Sequence, residues 1–422
     1  MNPRPAPEAS SPTPLYRNGS FLLLWSGQIV SAVGTQVSQL AFPLLVFSVT
    51  QSAAVTGIIT AIRGIPFIAL TLPGGALVDR WNRKMVMIVC DAGRAVALGS
   101  IPLAYGLGHL SLVQLALATL VEGTLYTFFN VAEPAALPNV VAREQIPDAV
   151  ALNNTIDSVS TLLGPSLAGV LYAAGRALPF AINAVTYAAS VISLFFIRVP
   201  FQGARKTRQE HLWAEMRAGI SYTWNRPVLR FMAVLIGWLN FLSMGYPLIM
   251  IVRAHDLHAG SIGTGLLFAT GGVGSIVGTV LVFQIQRRFR FGSIVAVGTW
   301  VWALTWIPYA LAPNVAALAV ANAAGWLIIP ILMGVQYSYR IATIPDDMQG
   351  RANAVIKLVA FGVQPLSLVL TGALIQAYGP ITAIWILFVP QMAAAVVASL
   401  YRPLHRTGGL QSIAAAGPRR ST

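Results

Sequence analysis

The chain of 422 residues is 56% hydrophobic and only 9% charged, and its mean hydropathy is +0.70. Soluble domains carry about 25% charged residues, so this chain has too little polar surface for a soluble fold and is expected in a lipid bilayer. Its net charge of +14 would suit a nucleic-acid-binding protein, but the distribution of the bases gives another reason for it. The single cysteine, Cys90, excludes internal disulfides.

Apolar runs follow one another along almost the whole chain. A helix needs about 20 apolar residues to cross the hydrocarbon core, and the first run is too long for the core of a cleavable signal peptide. The alternating strands of a membrane β-barrel are absent from the sequence pattern. The sequence therefore predicts twelve transmembrane helices, at about 20–48, 53–78, 85–106, 111–133, 150–174, 178–198, 228–252, 261–285, 292–311, 315–340, 353–376 and 381–401.

One long polar break divides these runs into six and six. It covers residues 199–227, and its second part has the pattern of an amphipathic helix lying along the membrane surface. The predicted fold class is all-α and integral to the membrane, with two pseudo-symmetric six-helix bundles. The predicted segments are an N-tail 1–16, a first bundle 17–198, a linker 199–227, a second bundle 228–405 and a C-tail 406–422.

The bases indicate the orientation of the chain. If the N-terminus is cytoplasmic, 21 of the 27 Lys and Arg fall in the tails and the inner loops, and only Arg176 and Arg253 fall in outer loops. This asymmetry follows the positive-inside rule, and the basic surface would meet anionic lipid headgroups. We therefore expect a multi-pass protein of the cell membrane with both termini cytoplasmic, with lipids as partners and no nucleic acid.

The two halves repeat one pattern. Asn153 and Pro165 open the fifth helix in the same spacing as Asn353 and Pro365 in the eleventh, 200 residues later. Together with the six-and-six division, this predicts two related bundles with a site between them near the middle of the membrane.

A charged turn between the second and third helices carries a family resemblance. The stretch GGALVDRWNRK, residues 74–84, resembles the signature of the major facilitator superfamily of transporters, and Asn82 stands where that signature has its second glycine. Asparagine tolerates a left-handed turn almost as well as glycine, so such a turn is expected there. The matching gating-motif residues are Gly75, Asp79, Arg80, Arg83 and Lys84.

A second motif narrows the resemblance. GPSLAG, with Gly164, Pro165 and Gly169, is similar to the antiporter motif of drug-exporting branches, and DRWNRK followed by DAGR looks most like the macrolide-efflux, drug:proton antiporter branch, which includes siderophore exporters. The resemblance implies alternating access. It also implies that Asp79 reaches the N-terminus of the eleventh helix, near residues 351–354, and locks the cytoplasmic side there, whereas the bases of the loop would face headgroup phosphates.

Several charges lie where lipid or packed protein is expected. Glu122, Arg63 and Arg94 converge on one layer near the membrane midplane, at about 1.5 Å of depth per residue. Two interpretations remain open: a static buried ion pair that fixes helix packing, or a proton carrier, Glu122, whose proton affinity the arginines adjust. Asp91 is one helical turn from Arg94 and could simply neutralise it. Asp157 is the second candidate for the proton carrier, and Glu133 is taken as structural.

Residues that could contact a substrate leave a weaker pattern. In the family, helices one, four, seven and ten line the cavity, and aromatic and methionine surfaces suit large apolar ligands. The same residues could instead pack helices together. The candidates are Gln28, Gln36, Gln39, Tyr126, Phe129, Asn240, Phe241, Met244, Tyr246, Trp326 and Met333.

The sequence and the resemblance together predict a secondary transporter. We expect proton-coupled efflux of hydrophobic or amphiphilic small molecules, by a monomer that uses no cofactor or metal and is not an enzyme. ATP hydrolysis is disfavoured because no Gly-x4-Gly-Lys-Ser/Thr run occurs. The alternatives are a siderophore or metabolite exporter or importer of the same fold and, as a different class, a receptor or scaffold that transports nothing.

Overall fold

The computed structural model describes residues 14–201 and 212–407, and within these ranges all regular structure is helical. Most of both predicted tails and the first part of the linker lie outside the described residues. The first half consists of α1 Gly19–Thr50, α2 Ala53–Ile62, α3 Ile65–Arg80, α4 Arg83–Gly106, α5 Leu112–Val140, α6 Ile146–Ala174 and α7 Leu178–Phe196.

The second half repeats this plan after a linker helix, α8 Leu212–Trp224. By length and composition, ten segments of the described chain are apolar enough to cross a membrane. One of them, Met348–Leu400, holds two spans that meet at Gly379, and α6 adds another, which gives twelve. The remaining helices are α9 Pro227–Ser243, α10 Tyr246–Asp256, α11 Gly260–Arg288, α12 Phe291–Leu304, α13 Trp306–Leu311, α14 Val315–Thr343, α15 Asp346–Phe361, α16 Gln364–Leu400 and α17 Arg402–His405.

Several spans are divided into two helices near their middle, and proline explains three of these breaks. Pro66, Pro247 and Pro365 are each the second residue of the helix that follows the break. Because proline has no N–H, the carbonyl four residues earlier loses its helical partner, and the chain turns there at little further cost. Span 2 is thus α2 with α3, span 7 is α9 with α10, and span 11 is α15 with the first part of α16.

The halves meet at two close helix crossings. We call the end of the bundle where α1 begins the inner end, following the predicted orientation, and the opposite end the outer end. In the outer part, α6 crosses α11 at Gly169 and Gly265, where an added methyl group on Gly169 would lie 2.6 Å from the Cα of Gly265. Likewise α2 crosses α16 at Gly57 and Gly372. A methyl group added on Gly372 would lie 2.6 Å from a backbone oxygen of α2. Only glycine permits both approaches. Because both crossings lie in the outer part and join the two halves, the structure is closed at its outer end.

The linker helix packs on the second half. Gly219 of α8 lies against the backbone of Arg351 in α15, and the Tyr222 hydroxyl donates a hydrogen bond of 3.4 Å to the carbonyl of Thr343. Thr223 is fully buried. The face of α8 that carries Gly219 and Thr223 packs on α15 and α9, while Ile220 and Trp224 are 41% and 44% exposed, so the linker helix is attached to the inner end of the second half. Its predicted position along the membrane surface stays a prediction.

Candidate functional site

A buried ion pair joins span 2 to α5. Arg63 follows the last residue of α2, at the break before α3, and its Nε donates to Glu122 Oε2 at 2.6 Å while Nη2 donates to Oε1 at 3.2 Å. Gly123 of α5 lies directly against the Arg63 carbonyl, so the two backbones touch at this point. Such a two-pronged contact is the strongest geometry available to an arginine and a carboxylate.

Arg94 of α4 connects that pair to a second acid. Its Nη2 lies 3.3 Å from Glu122 Oε1, and its Nη1 lies 3.2 Å from Asp91 Oδ1. The structure therefore brings together all four charges that the sequence placed near one another. Asp91 pairs with Arg94 as expected, and Arg94 also pairs with Glu122, which binds Arg63. The four side chains therefore form one network, which we call the charge network.

Three neutral partners complete the network, and sequence reasoning missed them. Tyr187 of α7 accepts a hydrogen bond from Arg94 and shares one of 2.8 Å with Thr35 of α1. Ser190, one turn later, donates to Asp91 Oδ2 at 2.6 Å. A Tyr and a Ser three residues apart on a predicted helix carry no signal by themselves, because only the packing of α7 on α4 and α1 gives them their partners.

One side chain of the network is much more exposed than the other three. The side chains of Asp91, Arg94 and Glu122 are 0%, 3% and 6% exposed, whereas that of Arg63 is 27% exposed. The ring of Tyr126, one turn after Glu122, lies 4.9 Å from the Arg63 guanidinium and 5.2 Å from that of Arg94. Two arginines and two carboxylates leave the network neutral, with Arg63 and Tyr126 at its accessible edge.

The centre of the second half holds a neutral cluster instead. The Tyr246 hydroxyl donates to Asn322, whose amide donates to the carbonyl of Leu267 at 2.7 Å. The Tyr246 ring contacts Trp326 and Tyr309, with centroid distances of 6.1 Å and 5.8 Å. Every polar atom of Asn322 is thereby partnered without any charge.

Two bases of the charged turn have partners that the sequence did not predict. Arg83 donates to the carbonyl of Ala135 at 2.6 Å, and Lys84 donates to the carbonyl of Ile197 at 2.6 Å. Both therefore bind backbone carbonyls of the first half rather than only facing headgroups. Arg80, at the end of α3, is exposed. The left-handed turn expected at Asn82 is wrong: its φ is −71°, and its side chain accepts the N–H of Met85 as the N-cap of α4.

The target expected for Asp79 also changes. The eleventh span begins at Asp346, so residues 351–354 lie inside α15 and not at its N-terminus. Two aspartates already occupy the first two positions of that helix, which is where negative charge offsets the helix dipole. The side chains of Asp79 and Asp157 lie outside the described part of the structure.

Some cavity candidates turn out to be packing residues. Phe129 is 4% exposed in the inner core of the first half, and Tyr246 is 6% exposed in the cluster around Asn322. They are not cavity residues in this structure, because neighbouring helices cover them. Asn240 donates to the carbonyl of Ala360 at 2.7 Å, and Gln36 donates to Thr161 at 3.0 Å. The other candidates are exposed or half-buried: Gln28, Gln39, Tyr126, Phe241, Met244, Trp326 and Met333.

The antiporter-like motif lies at contacts of α6. Gly164 packs directly on Gln36 of α1, and Gly169 forms the crossing with Gly265. Pro165 contributes its carbonyl to that crossing, 2.9 Å from a methyl group added at Gly265. The motif thus allows close packing both within the first half and between the halves.

Twelve spans in two related halves, with a buried charge network in one, define a transporter of the major facilitator type. A family model described as transmembrane secretion effector matches residues 9–416. The chain belongs to this family of transporters, and it is not an enzyme.

Two of the similar proteins are named as exporters. The chain is 26% identical over 402 residues to the multidrug efflux pump Tap of Mycobacterium tuberculosis, covering 90% of this chain and 93% of that protein. It is 25% identical over 347 residues to the enterobactin exporter EntS of Citrobacter koseri, covering 80% and 81%. A bacterial homologue of the human lysosomal transporter Spinster, solved in an inward-facing and unoccupied conformation, has the same fold with a TM-score of 0.72 at 13% identity, covering 97% of this chain and 100% of that one.

Proposed function

We propose that this membrane transporter is a proton-driven exporter of hydrophobic or amphiphilic small molecules, with Glu122 as its proton carrier. The observation that carries the proposal is a carboxylate buried near mid-span, paired with two arginines of which one, Arg63, is 27% exposed. An unpaired charge at this depth costs several kcal/mol, so Glu122 remains ionised only while both arginines hold it.

Neutrality of the network explains how one proton could drive a conformational change. Asp91 and Glu122 balance Arg63 and Arg94 while both acids are ionised. A proton on Glu122 leaves one guanidinium buried without its partner, which is strongly unfavourable, and the protein can relieve this by rearranging. Loss of the proton would restore the pairs and the conformation described above.

The named relatives support export over import. Tap is a multidrug efflux pump and EntS exports enterobactin, so drug-like molecules are our first substrate class and a siderophore is the second. The half-buried Tyr126, Phe241 and Trp326 offer apolar and aromatic surface to either class.

The register of spans 2 and 11 supports a revised form of the Asp79 latch. Gly57 packs on Gly372, and seven residues further inward Gly64 packs on Pro365. Because the helices run antiparallel, the same register carried inward brings Asp79 level with Gly350, next to Arg351. We propose that in the outward-open state Asp79 closes the inner side beside this arginine rather than at a bare helix N-terminus.

The site of action follows from the topology. We propose a monomer in the cell membrane, surrounded by lipid, with both termini cytoplasmic. Cysteines introduced at Ser11 and Ser412 should resist impermeant thiol reagents in intact cells. Labelling of either cysteine from outside would contradict this orientation.

The decisive experiment is uphill export by protein reconstituted in liposomes with an imposed pH gradient, using a panel of anionic, neutral and cationic fluorescent dyes. Glu122→Gln imitates the protonated acid and should abolish pH-driven accumulation while passive exchange continues. Glu144→Gln, which alters an exposed acid of the same half, is the matched control and should pump normally. Normal pumping by Glu122→Gln together with failure of Asp157→Asn would move the proton carrier to α6.

A further inference from the structure

The breaks in spans 2 and 11 lie against each other. Span 2 is interrupted at Arg63 and Gly64, and span 11 at Gly362 and Val363. A methyl group added at Gly64 would lie 2.9 Å from the ring of Pro365, so the break of one span contacts the first turn after the break of the other. Two independent interruptions at one level of the same interface are a natural place for bending.

The outer and inner sides of these breaks differ. Outside the breaks, the glycine crossing at Gly57 and Gly372 holds α2 against α16, and Ser52 donates to Gln376 at 3.0 Å. On the inner side of the breaks, the apolar residues that continue this line of contact along α3 and α15 are exposed. On α3, Ile65 is 50% exposed and Ile68 is 39% exposed; on α15, Phe361 is 39% exposed.

One side chain ties the break in span 2 to the charge network. Arg63 is itself the residue after α2, and its guanidinium is held by Glu122 while its carbonyl rests on Gly123. Bending α3 about this point therefore moves the backbone to which the guanidinium is attached. The ion pair and the direction of α3 are mechanically linked.

We propose that the two breaks form a single hinge at which α3 and α15 close against each other, and that the Arg63–Glu122 ion pair holds this hinge open. This inference rests on the proposed proton-driven function. The groups that face Glu122 are Arg63 from span 2, Arg94 with Asp91 from α4, Tyr126 of its own helix and Tyr187 of α7. Loss of the Glu122 charge frees Arg63, and closure then covers the bare apolar faces.

A hinge at mid-span has a consequence that rigid rocking of the halves lacks. The inner segments can close while the outer crossings at Gly57–Gly372 and Gly169–Gly265 remain packed. The transporter would then pass through an occluded state closed at both ends, so that no open path joins the two sides of the membrane.

Distances between paired spin labels in lipid nanodiscs test the hinge, in a Cys90→Ala background. The inner pair is Leu77→Cys with Ala354→Cys, and the outer pair is Ile58→Cys with Ala373→Cys, two exposed residues next to the glycine crossing. Leu77 lies 12 residues beyond the start of α3, so a bend of about 20° moves it by about 6 Å.

Glu122→Gln should shorten the inner distance by about that amount, with the outer distance unchanged. Arg63→Gln, which breaks the pair from the other side, should do the same, and Glu144→Gln should change neither.

Straightening the helices gives the second arm of the test. Pro66→Ala with Pro365→Ala restores two backbone donors, so adding both to Glu122→Gln should prevent the inner shortening. An unchanged inner distance in both Glu122→Gln and Arg63→Gln, or inner and outer distances that change together, would overturn the hinge. If Glu122→Gln stops pumping and the inner distance does not change, the hinge alone fails. If Glu122→Gln pumps normally, the proposed proton carrier fails instead.

Discussion

At the centre of the first half, Arg94 of α4 donates to Thr35 of α1 at 3.3 Å. Helix α4 begins at Arg83 and its counterpart α12 at Phe291, while α1 begins at Gly19 and α9 at Pro227, an offset of 208 residues in both cases. At the same place in the second half, Trp302 donates to Ser243 at 3.2 Å. The two halves thus keep one helix-to-helix hydrogen bond and exchange a cation for an indole.

The two acids of the network also have uncharged counterparts. Asp91 corresponds to Thr299 at this offset, and Thr299 bonds its own helix at Val295. Helices α5 and α14 are both 29 residues long, and alignment of their ends matches Glu122 with Gly325, which packs on Tyr309. The same arrangement of helices therefore holds a charge network in the first half and a neutral aromatic cluster in the second, and of these two clusters only the first contains carboxylates.

Removing the shared arginine should have the largest effect. Arg94→Met leaves Asp91 without a positively charged partner and Glu122 with only one, inside the membrane, so we expect about 3–5 kcal/mol of destabilisation. Trp302→Phe, at the matched position, loses one neutral hydrogen bond and should cost about 1 kcal/mol. Chemical unfolding in mixed micelles measures both. Equal losses would contradict the contrast between the halves.

The outer crossings should respond alike, since each half contributes one helix to each of them. Gly57→Ala places its methyl 2.5 Å from the carbonyl of Leu368, and Gly169→Ala places its methyl 2.6 Å from that of Ser261. Overpacking of this kind costs about 1–3 kcal/mol, which should favour an opened outer end by about fivefold to a hundredfold. Access of impermeant thiol reagents to a cysteine in the outer cavity reports this. Gly106→Ala has no atom within 4 Å of its methyl and is the control. Unchanged access in both variants would remove the crossings as the outer seal.

Two buried tyrosines offer the finest comparison. Tyr187→Phe loses its hydroxyl bonds to Arg94 and Thr35, and Tyr246→Phe loses its bond to Asn322. Each should destabilise the protein by about 1–2 kcal/mol. Only Tyr187→Phe should shift the dependence of export on the pH gradient, because only its partner belongs to the charge network. A shift in both variants would place the second half in the coupling mechanism.

The sequence by itself determined the twelve spans, their division into two halves and the depth of the intramembrane charges. Apolar length and rise per residue are local properties, and a hydrocarbon core leaves helices few alternatives. The same local arithmetic placed Glu122, Arg63 and Arg94 in one layer, where the structure finds them in contact.

Tertiary structure decided what local patterns do not encode. Tyr187 and Ser190 form hydrogen bonds with Arg94 and Asp91 because of the way α7 packs on α4. Phe129 and Tyr246 are core residues because neighbouring helices cover them. The start of the eleventh span at Asp346 was hidden because its first turns are polar. Arg63 could be recognised as a hinge residue only once Pro66 and Pro365 were seen at one level, since contact between helices 300 residues apart in sequence is set by packing and not by periodicity.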